Sequence, residues 1–349
     1  YAVKLYRSAR HFFYTADTGA DGVEILIDDQ TKNLALTAIT LATFLMAFTS
    51  SAINVALPTI GEEFVADAIM LNWLTTSYIL TSAMFMVPIG KIADICGRKK
   101  IFIYGVLLFN VSSLFCALSQ SVILLLAFRI IQGIGGAMIF GTCMAIITSI
   151  FPSGERGKAM GFNIAATYMG LSLSPVLGGV LTQQFGWRSI FWVNVIFGFM
   201  SFLLLLWKLK GEWIVAAGER FDYVGSLIYS ASLVSIMYGL SLVPVPIGIW
   251  LILAGVAGII LFARWETGIS NPVLNIDLFR KNKVFTFSNF AALINYSATF
   301  AIGFLLSLYL QYIKGLDPQS AGLVLVSQPL IMALFSPLAG RLSDTIEPR

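Results

Sequence analysis

The sequence predicts an all-α membrane protein, and three observations lead to that fold class. Of the 349 residues, 58% are hydrophobic and only 11% are charged, whereas water-soluble domains average about 45–50% apolar and 25% charged residues. The apolar residues form long continuous runs and do not alternate with polar ones, which argues against the strands of a membrane β-barrel. Each run is long enough to cross a bilayer, and a chain that crosses lipid must pair its backbone groups internally, as an α-helix does.

The predicted spans are ten apolar runs, each of about 18 residues or more. They cover residues 34–60, 70–90, 101–118, 121–150, 159–181, 189–207, 224–243, 247–265, 285–312 and 319–339. Residues 1–32 mix acidic and basic side chains and contain no run of this length. We expect that segment to be a cytoplasmic tail or a fusion remnant.

The distribution of positive charge predicts the orientation. If residues 1–32 are cytoplasmic, every Lys and Arg except Arg129, Arg188 and Lys314 belongs to a cytoplasmic loop or tail. Loops that stay in the cytoplasm carry an excess of Lys and Arg. We therefore expect a multi-pass protein of the plasma membrane, surrounded by the lipid bilayer, with a cytoplasmic N-terminus.

Other classes of protein receive no support from the composition. The three cysteines (Cys96, Cys116 and Cys143) lack CxxC spacing, and the one histidine, His11, lies in the tail. Metal and thiol chemistry are therefore not predicted. No His, Cys or acidic groups converge inside the spans, so we expect no enzyme and no cofactor. We also expect no nucleic-acid partner, and a monomer.

An internal repeat divides the chain into two halves. Gly90 to Lys100 reads GKIADICGRKK and follows the second span, whereas Gly340 to Arg349 reads GRLSDTIEPR and follows the tenth. Two such segments on the same side of the membrane predict parallel halves, each a helical bundle. The predicted organisation is the tail at 1–32, a six-helix bundle at 33–208, two inserted helices at 209–266 and the first two helices of a second bundle at 267–349. On this count the chain ends before four further helices.

Several motifs in the same order resemble the major facilitator superfamily, specifically drug:proton antiporters of the 14-helix type. Besides the repeat they are NVALP, RIIQGIGGA, GLSLSPVLGG, GWRSIFWVN and YLQYIKGLDPQSAG, at residues 54–58, 129–137, 170–179, 186–194 and 309–322. The resemblance implies a two-bundle helical transporter that exports a small-molecule substrate, in exchange for protons, by alternating access. Rival interpretations are an uncoupled or differently coupled facilitator, a scaffold without transport activity, and a fragment that is inactive alone.

The repeat segments are candidates for a conformational latch between the bundles. Asp94 is placed to cap a helix or to pair with Arg98, and the lysines beside it face anionic lipid. The alternative is a basic loop that only sets topology. The latch residues are Gly90, Asp94, Gly97, Arg98, Gly340 and Asp344.

Two spans carry the remaining polar and small-residue signals. Arg129 lies within the fourth span, where a charge costs about 2.5–3.5 kcal/mol, so it should face the bundle interior. The resemblance implies a role in proton transfer or substrate binding, and a structural role is the alternative. Gly133 on that span, and Gly170, Ser174, Pro175, Gly178 and Gly179 on the fifth, are expected to allow close helix packing and bending.

One position departs from the family pattern. The antiporters carry an acidic residue five positions before the Asn of NVALP, and Thr49 stands there. Because no Asp or Glu lies well inside any span, the coupling proton has no evident intramembrane acceptor. A neutral, aromatic cavity for amphipathic compounds is predicted, although Asn and Tyr also join helices. The candidate lining residues are Asn54, Tyr78, Gln132, Asn163, Tyr168, Asn289, Asn295 and Tyr296.

Overall fold

A computed structural model of the chain describes residues 29–209, 211–315, 323–324 and 326–345. The described residues form eleven α-helices. In chain order they are α1 (Asp29–Phe64), α2 (Ala68–Cys96), α3 (Arg98–Ala117), α4 (Val122–Ile150), α5 (Arg156–Phe185), α6 (Arg188–Lys208), α7 (Tyr223–Ser241), α8 (Pro246–Glu266), α9 (Ile276–Lys281), α10 (Lys283–Leu308) and α11 (Ser327–Thr345). A π-helical turn, Tyr309–Ile313, continues α10. The N-terminal 28 residues of the predicted tail lie outside the described residues.

The all-α membrane fold predicted from the sequence is confirmed. Within the described ranges, eight helices, α1 to α8, are long and apolar enough to cross a membrane. The ninth and tenth predicted spans correspond to α10 and α11, which are helical but are not among those eight. Large apolar side chains cover the outside of the helices, for example Trp207 at 75% exposure and Leu227 at 71%. Such a surface matches a hydrocarbon solvent.

Helices α1 to α6 pack into one bundle. Helix α1 contacts α5 and α6, α4 contacts α2 and α3, and α3 also contacts α6. The core contains two apolar clusters, one around Phe102 and Ile147 and the other around Leu74 and Trp187. At the end of the second cluster Glu63 accepts hydrogen bonds from the Trp187 indole (2.7 Å) and from Arg188 (2.9 Å). We refer to this as the Glu63 end of the bundle and to the opposite one as the Asp94 end.

The segment predicted as a loop at 90–100 is mostly helical. Helix α2 runs through Gly90 and Asp94 to Cys96, and α3 begins at Arg98. The turn is confined to Gly97, whose φ of +112° is accessible to glycine and strained for other residues. Gly90 does not make the turn, and a Cβ there would meet nothing within 4 Å. The sequence KIADIC contains no helix breaker, which explains why the helix continues.

The inserted helices α7 and α8 form a tight hairpin. Gly239 and Gly248 face each other, and a Cβ on either would lie within 2.7 Å of the other's carbonyl oxygen. The hairpin is attached to the first bundle through α2. The Ser230 hydroxyl donates a hydrogen bond to the Met84 carbonyl (3.0 Å), and the Tyr238 ring packs against Trp73 (centroids 5.9 Å apart).

Helix α11 packs along α5. A Cβ on Gly161 would lie 2.7 Å from the Ser336 carbonyl oxygen, and one on Gly340 would collide with the Gly157 carbonyl oxygen. Gly340 therefore lies inside a helix at a close helix–helix contact and not in a loop. Both repeat segments therefore begin within a helix, since Gly90 belongs to α2 and Gly340 to α11.

Candidate functional site

Arg129 is completely buried among α2, α3 and α4. Its Nε donates a hydrogen bond to the Leu74 carbonyl oxygen (3.1 Å), and its Nη1 donates to Oε1 of Gln132 (2.6 Å). Gln132 in turn donates from Nε2 to the Ser113 hydroxyl (2.7 Å). We call Arg129, Tyr78, Gln132 and Ser113 the Arg129 cluster.

The Tyr78 ring supplies the remaining contact to the guanidinium group. The guanidinium carbon lies 4.3 Å from the ring centroid, the geometry of a cation–π contact. Tyr78 is itself 4% exposed and packs edge-on against Phe109. The charge of Arg129 is thus held by a carbonyl, an amide and an aromatic face.

The charge of Arg129 is only partly compensated. Its Nη2 is buried and has no hydrogen-bond partner in the structure. No carboxylate among the described side chains forms an ion pair with it. A buried cation without a counter-ion is costly, and such groups inside a membrane protein are functional candidates. One N–H group of the guanidinium is therefore left without an acceptor inside the bundle.

Glycines on α4 allow the Arg129 cluster to form. A Cβ on Gly133 would lie 2.7 Å from the Tyr78 carbonyl oxygen, and one on Gly135 would lie 2.7 Å from the Phe109 nitrogen. Side chains at these two positions would push α2 and α3 away from α4. The RIIQGIGGA sequence therefore combines the charged residue with the small residues that bring its neighbours into contact.

The small residues of α5 face α1. A Cβ on Gly170 would lie 2.6 Å from the Phe44 carbonyl oxygen, and one on Gly178 would lie 2.9 Å from Cβ of Ala52. Ser174 donates to the Phe48 carbonyl (3.0 Å), and Pro175 follows it inside the helix. Gly179 differs, because its Cβ would make only an ordinary contact of 3.8 Å.

The predicted cavity residues do not form one group. Tyr78 and Gln132 belong to the Arg129 cluster. Asn163 is buried on α5 and accepts a hydrogen bond from Thr43 on α1 (2.9 Å). Tyr168 is half-buried on α5, within interaction distance of Tyr296 on α10.

The other three cavity candidates are exposed. Asn54 on α1 accepts a hydrogen bond from Thr75 on α2 (3.0 Å). Asn289 donates to the Phe285 carbonyl of its own helix (2.8 Å). Asn295 is exposed on α10, next to Tyr296.

Two polar contacts within the bundle were not anticipated from the sequence. Ser113 completes the Arg129 cluster, although nothing in its sequence neighbourhood distinguishes it from other span serines. Thr49, fully buried at the position where the family pattern has an acid, donates to the Leu45 carbonyl (2.9 Å) and accepts a hydrogen bond from the Asn194 amide. The spacing to NVALP identified Thr49, but only the packing of α1 on α6 reveals its partner.

At the Asp94 end, two of the six predicted latch residues, Asp94 and Arg98, form an ion pair. Arg98 Nε donates to Asp94 Oδ1 (2.8 Å), and Arg98 Nη1 donates to the Ser149 hydroxyl (3.3 Å). The side chain of Asp344, the counterpart of Asp94 in the second repeat, lies outside the described part of the chain.

Residues 211–219, which follow α6, fold against the Asp94–Arg98 pair. The backbone nitrogen of Arg98 donates to the Trp213 carbonyl (3.0 Å), and that of Ala216 donates to the Asp94 carbonyl (2.9 Å). Glu212 accepts a hydrogen bond from the backbone nitrogen of Lys99 (2.9 Å) in the first turn of α3. Residues 211–219 therefore connect the Asp94–Arg98 pair to the inserted helices α7 and α8.

We expect Glu212→Ala to loosen residues 211–219. The change removes the carboxylate that caps α3, and a lost cap costs about 1 kcal/mol. Opening of the segment should then become roughly fivefold more frequent, and trypsin cleavage after the exposed Arg220 should accelerate by the same factor. Glu62→Ala, at an exposed acid of the other end, is the matched control. Equal cleavage rates for the two variants would show that the cap does not hold the segment.

An open apolar groove of about 390 Å³ lies between α1, α5 and α6, and Leu177 and Phe197 on its walls are exposed at the outer surface of the helices. Its walls include Phe44 and Phe48 from α1, Leu177 and Leu181 from α5, and Phe197 from α6, and no polar surface lines it. Its size falls within the usual range for small-molecule pockets.

These features define a class of protein: a helical membrane bundle with a buried intramembrane cation and glycine-mediated helix contacts, as in transporters. Residues 39–349 match the Major Facilitator Superfamily. The chain belongs to this superfamily of membrane transporters.

Two curated relatives are similar over most of the chain. It is 31% identical to riboflavin transporter RibZ of Clostridioides difficile over 90% of this chain and 68% of RibZ. It is also 31% identical to multidrug resistance protein Stp of Mycobacterium tuberculosis over 92% of this chain and 60% of Stp. The chain thus spans about two thirds or less of these relatives' lengths.

A solved structure supports the fold. The proton:xylose symporter XylE, bound to 6-bromo-6-deoxy-D-glucose, superposes with a TM-score of 0.52 at 15% sequence identity, covering 92% of this chain and 83% of XylE. At that identity the likeness shows the shared fold alone.

Proposed function

We propose that the chain is part of a secondary transporter that exports small amphipathic or lipophilic compounds across the plasma membrane. Two bundles would tilt against each other around a site near the midplane, and protons would drive export. The observation that carries the proposal is the Arg129 cluster, because a buried cation with an open donor can bind or release charge as the bundle changes conformation.

The chemistry of the bundle favours an amphipathic compound. The groove between α1, α5 and α6 is wholly apolar, and the separate Arg129 cluster contains aromatic and amide groups. Such a combination suits lipophilic ring systems better than sugars. Among the relatives, Stp is named for multidrug resistance and RibZ for riboflavin transport, and both names are compatible with this substrate class.

Proton coupling requires a group in the protein that binds the coupling proton. Thr49 occupies the position of the family's acid, and it is already paired with Asn194. If no other group binds the coupling proton, the protein is a facilitator that moves its substrate only downhill. A membrane potential of 100 mV contributes about 2.3 kcal/mol per charge moved, and a neutral substrate without a coupled ion gains none of it.

Transport by the full chain in proteoliposomes tests the proposal. We expect a pH gradient across the membrane to drive a lipophilic fluorescent cation in the direction opposite to proton flow. Dissipating the gradient should abolish this movement of the cation. A flux of the same size with and without the pH gradient would indicate the facilitator instead. No flux of any probe, despite correct folding, would favour a scaffold or a fragment that is inactive alone.

Thr49→Asp separates the two transport mechanisms further. If the protein lacks a proton acceptor at position 49, an acidic side chain introduced there should supply one. The pH-driven flux should then increase by about tenfold, which is equivalent to about 1.4 kcal/mol. The matched control is Thr59→Asp, at an exposed position of the same helix. An equal response from both variants would show that position 49 has no special part in coupling.

A further inference from the structure

The inserted hairpin contains a pair of facing carboxyl groups at the Asp94 end. Asp222 precedes α7 and accepts hydrogen bonds through Oδ1 from the backbone nitrogens of Val224 (3.1 Å) and Gly225 (3.0 Å). Its Oδ2 accepts a hydrogen bond from the Trp265 indole (3.0 Å). Asp222 is thus the N-cap of α7 and is held to α8 by one further contact.

Glu266 is the last residue of α8 and is only 2% exposed. Its Oε2 accepts a hydrogen bond from the backbone nitrogen of Leu274 (3.0 Å). Its Oε1 is buried and makes no hydrogen bond with a described residue, although the backbone nitrogen of Val273 also lies near the carboxyl group. A carboxylate oxygen left without a donor in such a position is costly.

The open oxygen of Glu266 lies beside Gly225, as does Oδ2 of Asp222. A Cβ on Gly225 would collide with both Oε1 of Glu266 and Oδ2 of Asp222, so the two oxygens lie against the same point of α7. The two carboxyl groups are within interaction distance of each other. Gly225, which lacks a Cβ, is what permits this approach.

We propose that Asp222 and Glu266 form a proton-binding site in which one carboxyl group donates its O–H to the other. Two ionised carboxylates at contact distance repel each other, and a shared proton removes that repulsion. The proton also supplies the donor that Oε1 of Glu266 lacks. The pair then carries a single negative charge and joins the start of α7 to the end of α8.

A proton fits this site better than a metal ion. Ca²⁺ takes six to eight oxygen ligands and Mg²⁺ needs a near-octahedral set, whereas among the described residues no group of three potential metal ligands occurs. The oxygens other than Oε1 already accept hydrogen bonds from protein donors.

The surrounding charges do not replace the proton. Arg220, two positions before Asp222, Arg264 on α8 and Arg280 on α9 are all exposed. Lys91, from the helix that packs on α7, pairs with Glu219 at 2.6 Å. From α9, Lys281 pairs with Asp277, and this hydrogen bond lowers the pKa of the exposed Asp277 carboxyl.

The site has a consequence for the hairpin that does not depend on whether the chain transports anything. When the pair holds its proton, the ends of α7 and α8 attract each other. When both groups ionise, they repel. The proton therefore controls how firmly the inserted helices are joined at the end where residues 211–219 connect them to the first bundle.

Infrared difference spectroscopy of the full chain in lipid nanodiscs, recorded through a pH titration, tests the site. We expect a protonated-carboxyl C=O band that persists near pH 7, where exposed carboxylates are ionised. Glu266→Gln should abolish this band, while its amide can still donate to Asp222 and preserve the hairpin. The control Asp277→Asn, at an exposed carboxyl, should leave the band unchanged.

Asp222→Asn provides a second, independent measurement. Asparagine also caps helices, so α7 should keep its start, but the charge that favours a proton on Glu266 is gone. The band should then disappear at a pH at least about one unit lower than in the wild type. The absence of a Glu266-dependent band between about pH 5 and pH 8, or a midpoint unchanged by Asp222→Asn, would overturn the proposal.

Discussion

Arg129→Met is expected to abolish most transport while leaving the protein at least as stable as the wild type. The two effects separate because the guanidinium group is desolvated without a counter-ion. Its removal recovers about 2.5–3.5 kcal/mol of insertion cost, against interhelical hydrogen bonds of about 0.6 kcal/mol each. The free energy of unfolding should therefore stay within about 1 kcal/mol of the wild-type value or rise.

The rate of transport, unlike the stability, should fall in Arg129→Met. A hydrogen bond to a charged group contributes about 1.5–3 kcal/mol, so losing the contact of Arg129 with a moving charge should lower the initial flux about 10- to 100-fold. Flux in proteoliposomes and thermal unfolding in detergent, measured on the same preparation, check both parts. Arg264→Met, which removes an exposed arginine at the end of α8, is the control.

The alternative, a structural Arg129, predicts a different pattern. In that case Arg129→Met would lower the unfolding temperature, and flux would fall only in proportion to the folded fraction. Full flux in a stable Arg129→Met protein would contradict the role proposed for the Arg129 cluster.

Gly170→Ala is expected to lower the free energy of unfolding by about 1–3 kcal/mol, the usual cost of overpacking. The added Cβ would lie 2.6 Å from the Phe44 carbonyl oxygen, and a backbone atom cannot rotate out of the way as a side chain does. Alanine gains about 1 kcal/mol over glycine in helix propensity, but the collision costs more. Chemical denaturation of the purified protein measures the difference.

Gly179→Ala is the matched control in the same helix. Its Cβ would meet Val55 at 3.8 Å, an ordinary contact, so the propensity gain is unopposed and the protein should become more stable by up to about 1 kcal/mol. A similar response from both glycines would mean that α5 and α1 are not in close contact at Gly170.

Much of the fold follows from hydrophobic runs. The first eight predicted spans correspond to the eight membrane-length helices, because a run of apolar residues is sufficient to place a helix in lipid. The helix ends were less predictable. Helix α2 continues past Gly90 to Cys96, since polar residues at the membrane edge remain helical until Gly97 permits the turn.

From the sequence, Arg129 could be predicted as a member of the candidate site, but the groups that contact it could not. Arg129 stands out as an ionisable residue in an apolar run, and the adjacent glycines indicated close packing. Ser113 and the Leu74 carbonyl, which are 16 and 55 positions before Arg129 in the sequence, were not indicated by any local pattern. Their contacts exist because α2 and α3 approach the glycine face of α4.

The sequence by itself determined that this protein is surrounded by lipid. It also determined the number and order of the first eight spans and the membership of a transporter superfamily. These properties depend on composition, on the length of apolar runs and on motif order, all of which can be read one segment at a time. Only the tertiary structure decided that Nη2 of Arg129 is left without a partner, that residues 211–219 cover the Asp94–Arg98 pair, and that Asp222 faces Glu266. Those are distances between helices, and helix packing depends on side chains that are far apart in the chain.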